Sequence, residues 1–195
     1  MTRKKKLQLC DFILNPETPL LHGSVIERTL RGGIHAQLHG RAFCEGDFVD
    51  FFTDGSEKDG VAAWSVVCPT NARRSCTRLA SGEQLAVRAE VEAFAHVLES
   101  TDGNVRVFTD CPTVMEAARS IHAPDRRVRR SLFRCRDILE RIMVAADGRC
   151  VEIVKVKGHT EGTDLASRWN AEADARAYDL VCRTTEGNIR HKPVT

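Results

Sequence analysis

Four acidic residues sit where ligands for a cation belong. Asp54 closes the run Phe51-Phe52-Thr53 and precedes Gly55-Ser56, and Asp110 closes Val105-Arg106-Val107-Phe108-Thr109. Glu90 opens the apolar periodicity of an expected helix, and Asp174 lies in Asn170-Ala171-Glu172-Ala173-Asp174. A carboxylate at the end of a buried strand is costly to desolvate unless a cation or hydrogen bonds compensate. Two strand-end carboxylates plus two helix carboxylates therefore imply a shared cation site, the pattern of a metal-dependent nuclease. Each residue also has a plainer reading. Asp54 before a glycine suits a turn, and Asp110 before Cys111-Pro112 suits a helix cap. Glu83 and Glu92 compete with Glu90, and Glu172 and Asp164 with Asp174. His159, beside Gly158, is either an idle loop residue or a group titrating near pH ~6.5 and fit for proton transfer.

The elements that must position these residues follow from periodicity. Phe48 to Thr53 is a short apolar strand, Val61 to Cys68 a second after the Asp59-Gly60 turn, and Arg73 to Leu79 a third. From Gln84 to Leu98 the period changes, with Leu85, Ala89, Phe94, Ala95 and Leu98 near one helical face. Val105 to Thr109 is a fourth strand, and Pro112 begins a short helix. Arg126 to Val144 is a longer helix striped by Val128, Leu132, Cys135, Leu139 and Ile142. A fifth strand, Cys150 to Val156, precedes a last helix from Asn170 to Cys182. Three antiparallel strands followed by alternating helix and strand predict an α/β fold, one mixed sheet with helices packed on it.

With 195 residues the chain fits one domain with a modest extension. Residues 1–45 read as an extension or connector, partly disordered, because prolines and glycines interrupt every period. The domain covers 46–184 and a tail 185–195; Met1 and the short tail point to a free-standing protein. Lys4-Lys5-Lys6 reads as a solvated terminus before it reads as an import or nucleic-acid patch. No apolar run approaches the roughly 20 residues of a membrane helix, so no membrane partner is expected. Eight cysteines without a Cys-x-x-Cys pair predict reduced thiols in an intracellular compartment, cytoplasm or nucleus.

The region from Phe48 to Cys182 resembles the type 1 ribonuclease H domain. It is most similar to the form attached to gammaretroviral and retrotransposon reverse transcriptases. The resemblance is carried by five fragments in order: Thr53-Asp54-Gly55-Ser56; Arg88-Ala89-Glu90 followed by Glu99; Thr109-Asp110; Val156-Lys157-Gly158-His159; and Asn170 through Asp174. It implies a five-stranded mixed sheet, with Asp54, Glu90, Asp110 and Asp174 as catalytic metal ligands and His159 as a mobile acid–base helper. It also implies two Mg²⁺ ions per site, with Mn²⁺ able to substitute, and hydrolysis of the RNA strand of RNA–DNA hybrids. Gly55, Ser56, Arg88 and Asn170 are the expected nucleic-acid contacts near the metals. A monomer is expected, with a reverse transcriptase or replication machinery as the associated partner.

Hydrolysing a phosphodiester needs a water made nucleophilic and charge stabilised on two oxygens, which two divalent ions about 4 Å apart supply. Magnesium takes hard oxygen ligands and keeps several waters, so a few carboxylates suffice. Asp54 and Asp110 are the expected shared ligands, Glu90 and Asp174 the flanking ones. Val87, Cys111 and Pro112 depart from the polar residues usual beside these motifs, which touch the 2′-hydroxyls of the RNA strand. Binding is therefore expected to lean on phosphate charge, through Arg126, Arg127, Arg129 and Arg130 within a basic cluster that runs from Arg119 to Arg136. Two alternatives belong to other classes: a module that kept the fold but lost efficient catalysis, and an integrase- or resolvase-like nuclease. The Gly158-His159 loop and the Asn-x-x-x-Asp ending speak against the second.

Overall fold

Along the central strands, successive residues feed different cores. The computed structural model describes residues 47–121, 130–156 and 165–190, plus four short strands before them. In β5 (Phe48–Lys58) Phe51 enters one core and Phe52 the other; in β8 (Asn104–Thr109) Val107 and Phe108 divide likewise, as do Ile153 and Val154 in β9 (Val151–Lys155). A period of two with both faces apolar is what a strand covered by helices on each side requires.

The first core is closed by α1 (Ala86–Glu99), α2 (Pro112–Ser120) and α4 (Arg136–Ala145), through Phe94, Leu98, Val114, Ile138 and Ile142 among others. Alanines at 86, 89, 93 and 95 let α1 approach the sheet closely. The second, smaller core lies under α5 (Leu165–Arg190), where Ala166, Trp169 and Ala173 meet Phe52, Phe108 and Val154. The Phe52 and Phe108 rings stack at 4.3 Å and are direct register partners.

β5, β6 (Val61–Val67) and β7 (Cys76–Leu79) form an antiparallel meander, and β8 and β9 add in parallel beside β5. This is the five-stranded mixed sheet that was expected. The β5–β6 turn holds Asp59 and Gly60 at φ +53° and +75°, the left-handed pair of a tight hairpin.

The sheet is wider than the expectation. β2 (Val25–Thr29) pairs in parallel with β9, and β3 (Leu38–His39) pairs with β2, making seven strands. β1 (Leu20–Leu21) and β4 (Phe43–Cys44) form a separate two-stranded ribbon. The segment before residue 45 thus contributes regular structure through a partner more than a hundred residues away, which no local period reveals.

The expected helix from Arg126 is broken. Its described part is α3 (Arg130–Phe133) followed by α4, although the stripe Leu132, Cys135, Leu139 and Ile142 is buried as anticipated. The cause is Arg88, which takes the Arg134 carbonyl at 2.9 Å and the Asp137 carboxylate at the break. The last helix runs beyond its expected Asn170–Cys182 at both ends. Cys68, Cys76, Cys111, Cys135 and Cys182 are free thiols, but Cys150 is disulfide-bonded. That differs from uniformly reduced thiols, since chain spacing does not show which cysteines folding brings together. Among the described residues no helix is long and apolar enough to cross a membrane.

Candidate metal centre

The site begins with a missing side chain. A Cβ on Gly55 would lie 2.5 Å from the Glu90 backbone nitrogen and 2.9 Å from the Ala86 carbonyl oxygen. Only glycine lets α1 lie this close to β5, and that approach brings Glu90 to Asp54. Asp110 arrives from the neighbouring strand, because Phe52 pairs with Phe108 and both chains then run two residues further. Asp54, Glu90 and Asp110 each offer a carboxylate oxygen, all within 4.8 Å of one another. Asp174, on α5, lies close enough to Asp54 that its charge helps raise the Asp54 carboxyl.

Neither plainer reading of the two aspartates fits. β5 continues through Asp54 to Lys58, so Asp54 is a strand residue and the turn is at Asp59-Gly60. The N-cap of α2 is Cys111, not Asp110. Among the competitors of Glu90, Glu92 accepts both the N–H and the hydroxyl of Ser81, and Glu83 pairs with Arg134 at 2.9 Å. Glu172 pairs with Arg176 at 2.8 Å, leaving Asp174 as the α5 carboxylate in the cluster. Asp164 lies outside the described residues.

The electrostatics are those of like charges held together against water. Burial, then Asp174 and Asp110, push the Asp54 carboxyl up to about 8. Burial raises Glu90 well above the usual carboxylate range, Asp54 and Asp110 adding to it, although the Gly55 N–H donates to its carboxylate. Asp54 is 6 % and Glu90 8 % exposed, and Glu90 Oε2 is buried with no hydrogen-bond partner. An all-oxygen, crowded set with an unbonded buried oxygen suits hard divalent cations, which would remove the repulsion.

Other expected site residues divide. Ser56 follows Gly55 on β5, half-buried. Asn170 is buried one turn before Asp174, its Oδ1 without a hydrogen-bond partner. Arg88 requires a correction: at 7 % exposure its guanidinium bonds to the Ser81 and Arg134 carbonyls and doubly to Asp137. Most of its donors are thus used within the protein, which differs from the expected nucleic-acid contact. His159, Arg126, Arg127 and Arg129 lie outside the described residues, as does the side chain of Arg130 at the start of α3. Arg134 and Arg136 are exposed on the α3–α4 break.

Two features of the site need the structure to be seen. Thr53, fully buried beside Asp54, has an unbonded Oγ1. The Cys111 thiol lies close enough to Glu90 that, after burial, the glutamate helps raise it to about 11. A Thr-Asp pair recurs at 53–54 and at 109–110, which is the signal that would have flagged the threonine. No curated protein matches the chain. Residues 47–181, more than half of the chain and the whole span of the carboxylate cluster, match the RNase H family model, and the chain belongs to that family.

Proposed function

We propose that the protein is a divalent-cation-dependent endoribonuclease that hydrolyses the RNA strand of RNA–DNA hybrids. The observation that carries this reading is the convergence of Asp54, Glu90 and Asp110 within 4.8 Å, inside a domain of the RNase H family. Asp54 and Asp110 would be shared between two Mg²⁺ or Mn²⁺ ions, with Glu90 and Asp174 on the flanks. Bound ions supply a water that is nucleophilic near neutral pH and stabilise charge on the attacking and leaving oxygens.

The chain's own groups do the rest. Gly55 keeps β5 and α1 close enough for the four carboxylates to face one phosphate. Asn170, buried and carrying an unbonded amide oxygen, orients a hydroxyl or water beside Asp174. Ser56 offers a hydroxyl at the rim, and His159 passes a proton to the departing oxygen or helps release product. Arg126, Arg127, Arg129 and Arg130 hold the hybrid by its phosphates, which positions a duplex without reading its sequence. We further read the domain as the gammaretroviral or retrotransposon form, working as a monomer alongside a polymerase.

The deciding assay incubates labelled hybrid, double-stranded RNA and double-stranded DNA with Mg²⁺ or Mn²⁺. Only the RNA of the hybrid should be cut, and cation removal should abolish cutting. Equal cutting of double-stranded DNA, or no cutting with either cation, would refute the reading.

A further inference from the structure

α1 presents two charged residues in opposite directions. Glu90 faces the carboxylate cluster, while Arg88 lies two residues away, about 200° around the helix axis. Arg88 Nε donates to the Ser81 carbonyl at 2.7 Å, Nη1 to the Arg134 carbonyl at 2.9 Å, and the fork meets Asp137 at 3.0 and 2.6 Å. A bidentate arginine–carboxylate pair fixes orientation as well as distance.

The surroundings are built for that clamp. Gly82, at φ +68°, leaves a would-be Cβ 3.3 Å from Arg88 Nη2, so the loop lies flat against the guanidinium. Arg134 turns back to Glu83 in the same loop at 2.9 Å. Glu92 accepts the Ser81 N–H at 2.9 Å, fixing the loop from the next turn of the helix. Meanwhile α1 has no side-chain cap at Leu85. Its first turns are therefore held by contact with Gly55 on one side and by Arg88 on the other.

We infer that Arg88, held by Asp137, is a positioning residue that seats the Glu90 carboxylate against Asp54 and Asp110 and thereby sets the affinity of the site for divalent cations. The inference rests on the cation-dependent reading above but concerns affinity, not cleavage. Asp137 itself is 62 % exposed, so Asp137→Asn should fold. The same two helices carry a second ion pair, Arg141 with Glu99 at 2.7 Å, as an internal control.

The test is calorimetric titration of Mn²⁺ into wild-type protein, Asp137→Asn, Asp137→Glu and Arg141→Gln, with melting temperatures measured alongside. Loss of a residue that orients a ligand costs about 10- to 100-fold in metal affinity. Asp137→Asn should weaken Mn²⁺ binding by about 10-fold or more, Asp137→Glu should recover most of it, and Arg141→Gln should leave it unchanged. Wild-type Mn²⁺ affinity in Asp137→Asn, whatever its melting temperature, overturns the inference. So does an equal loss in Arg141→Gln, or an absence of Mn²⁺ binding in the wild type. Intact Mn²⁺ binding without hybrid cleavage would sink the nuclease reading alone and leave the positioning role to be judged by the titrations.

Discussion

Two charged rows lie on the same face of the sheet and are composed oppositely. Low on β5, β8 and β9, Asp50, Arg106 and Glu152 stand in register, Arg106 reaching Asp50 at 3.1 Å and Glu152 at 2.9 Å. Four residues further along the first two strands stand Asp54 and Asp110, with Glu90 and Asp174 added and, among the described residues, no arginine acting on Asp54 or Glu90. The lower row contains its own cation, so a fully buried Glu152 is tolerated. In the upper row the neighbouring carboxylates push Asp54 and Glu90 up instead of neutralising them. A carboxylate paired with an arginine is what a fold uses for itself; buried carboxylates crowded against one another mark a place where something binds.

The comparison is broken most severely at the upper row. Asp110→Asn keeps shape but removes an ionised ligand, and hybrid cleavage should fall by about 10³-fold or more, equivalent to roughly 4 kcal/mol of transition-state stabilisation. Its melting temperature should not fall. Near-normal cleavage by Asp110→Asn would mean the upper row is not the active centre.

The lower row should respond in the opposite sense. Arg106→Met takes the guanidinium away from the buried Glu152 and from Asp50 and should cost about 3 kcal/mol of stability, the lower end for a buried pair because Arg106 is 31 % and Asp50 37 % exposed. Cleavage per folded molecule should survive. Urea unfolding and single-turnover cleavage, measured together, would expose an error if stability held or cleavage vanished.

Gly55→Ala touches stability and the site together, because its new methyl meets backbone atoms that cannot rotate away. A loss of about 1–3 kcal/mol is expected from such overpacking, accompanied by weaker Mn²⁺ binding. A stable variant with unaltered binding would show that α1 is free to retreat without consequence.

The smallest effect is in pH. With Asp54 raised from 3.8 to about 8 and Glu90 raised as well, the cation-free folded state keeps protons that the unfolded chain has released. These groups therefore favour folding fully only below about pH 4, and the contribution drains away as pH rises towards about 8. Melting temperatures of chelator-treated protein should fall more between pH 5 and 8 for the wild type than for Asp54→Asn, and Mg²⁺ should restore the wild type at the alkaline end. Parallel curves for the two proteins would place the strain elsewhere.

Much of this arrangement was readable beforehand, for identifiable reasons. Phe51-Phe52 and Val107-Phe108 announce strands covered on both faces, and carboxylates directly following such runs stand out because burial makes them expensive. The Arg88-Ala89-Glu90 motif singles out Glu90 where helix geometry does not, because Glu90 and Glu92 are both buried and only the neighbours of Glu92 explain it. What remained hidden depended on distant partners. β2 needs β9 beside it, the α3–α4 break meets Arg88 from more than forty residues away, and Arg88 reads as a nucleic-acid contact until Asp137 is seen to occupy it.

The left-handed turn at Asp59-Gly60 has a consequence for how reliably the molecule assembles. That turn sets which residue of β5 faces which of β6, pairing Asp54 with Ser65 and Gly55 with Trp64. Sliding one strand by a single residue would exchange the faces of its neighbours. Asp54 would then thrust its side chain into the gap at α1 that only glycine fits, and the carboxylate would be replaced by a bare backbone. A hairpin formed out of frame can neither dock the helix nor assemble the acidic cluster. The crowding at Gly55 thus ties the frame of the hairpin to the docking of α1.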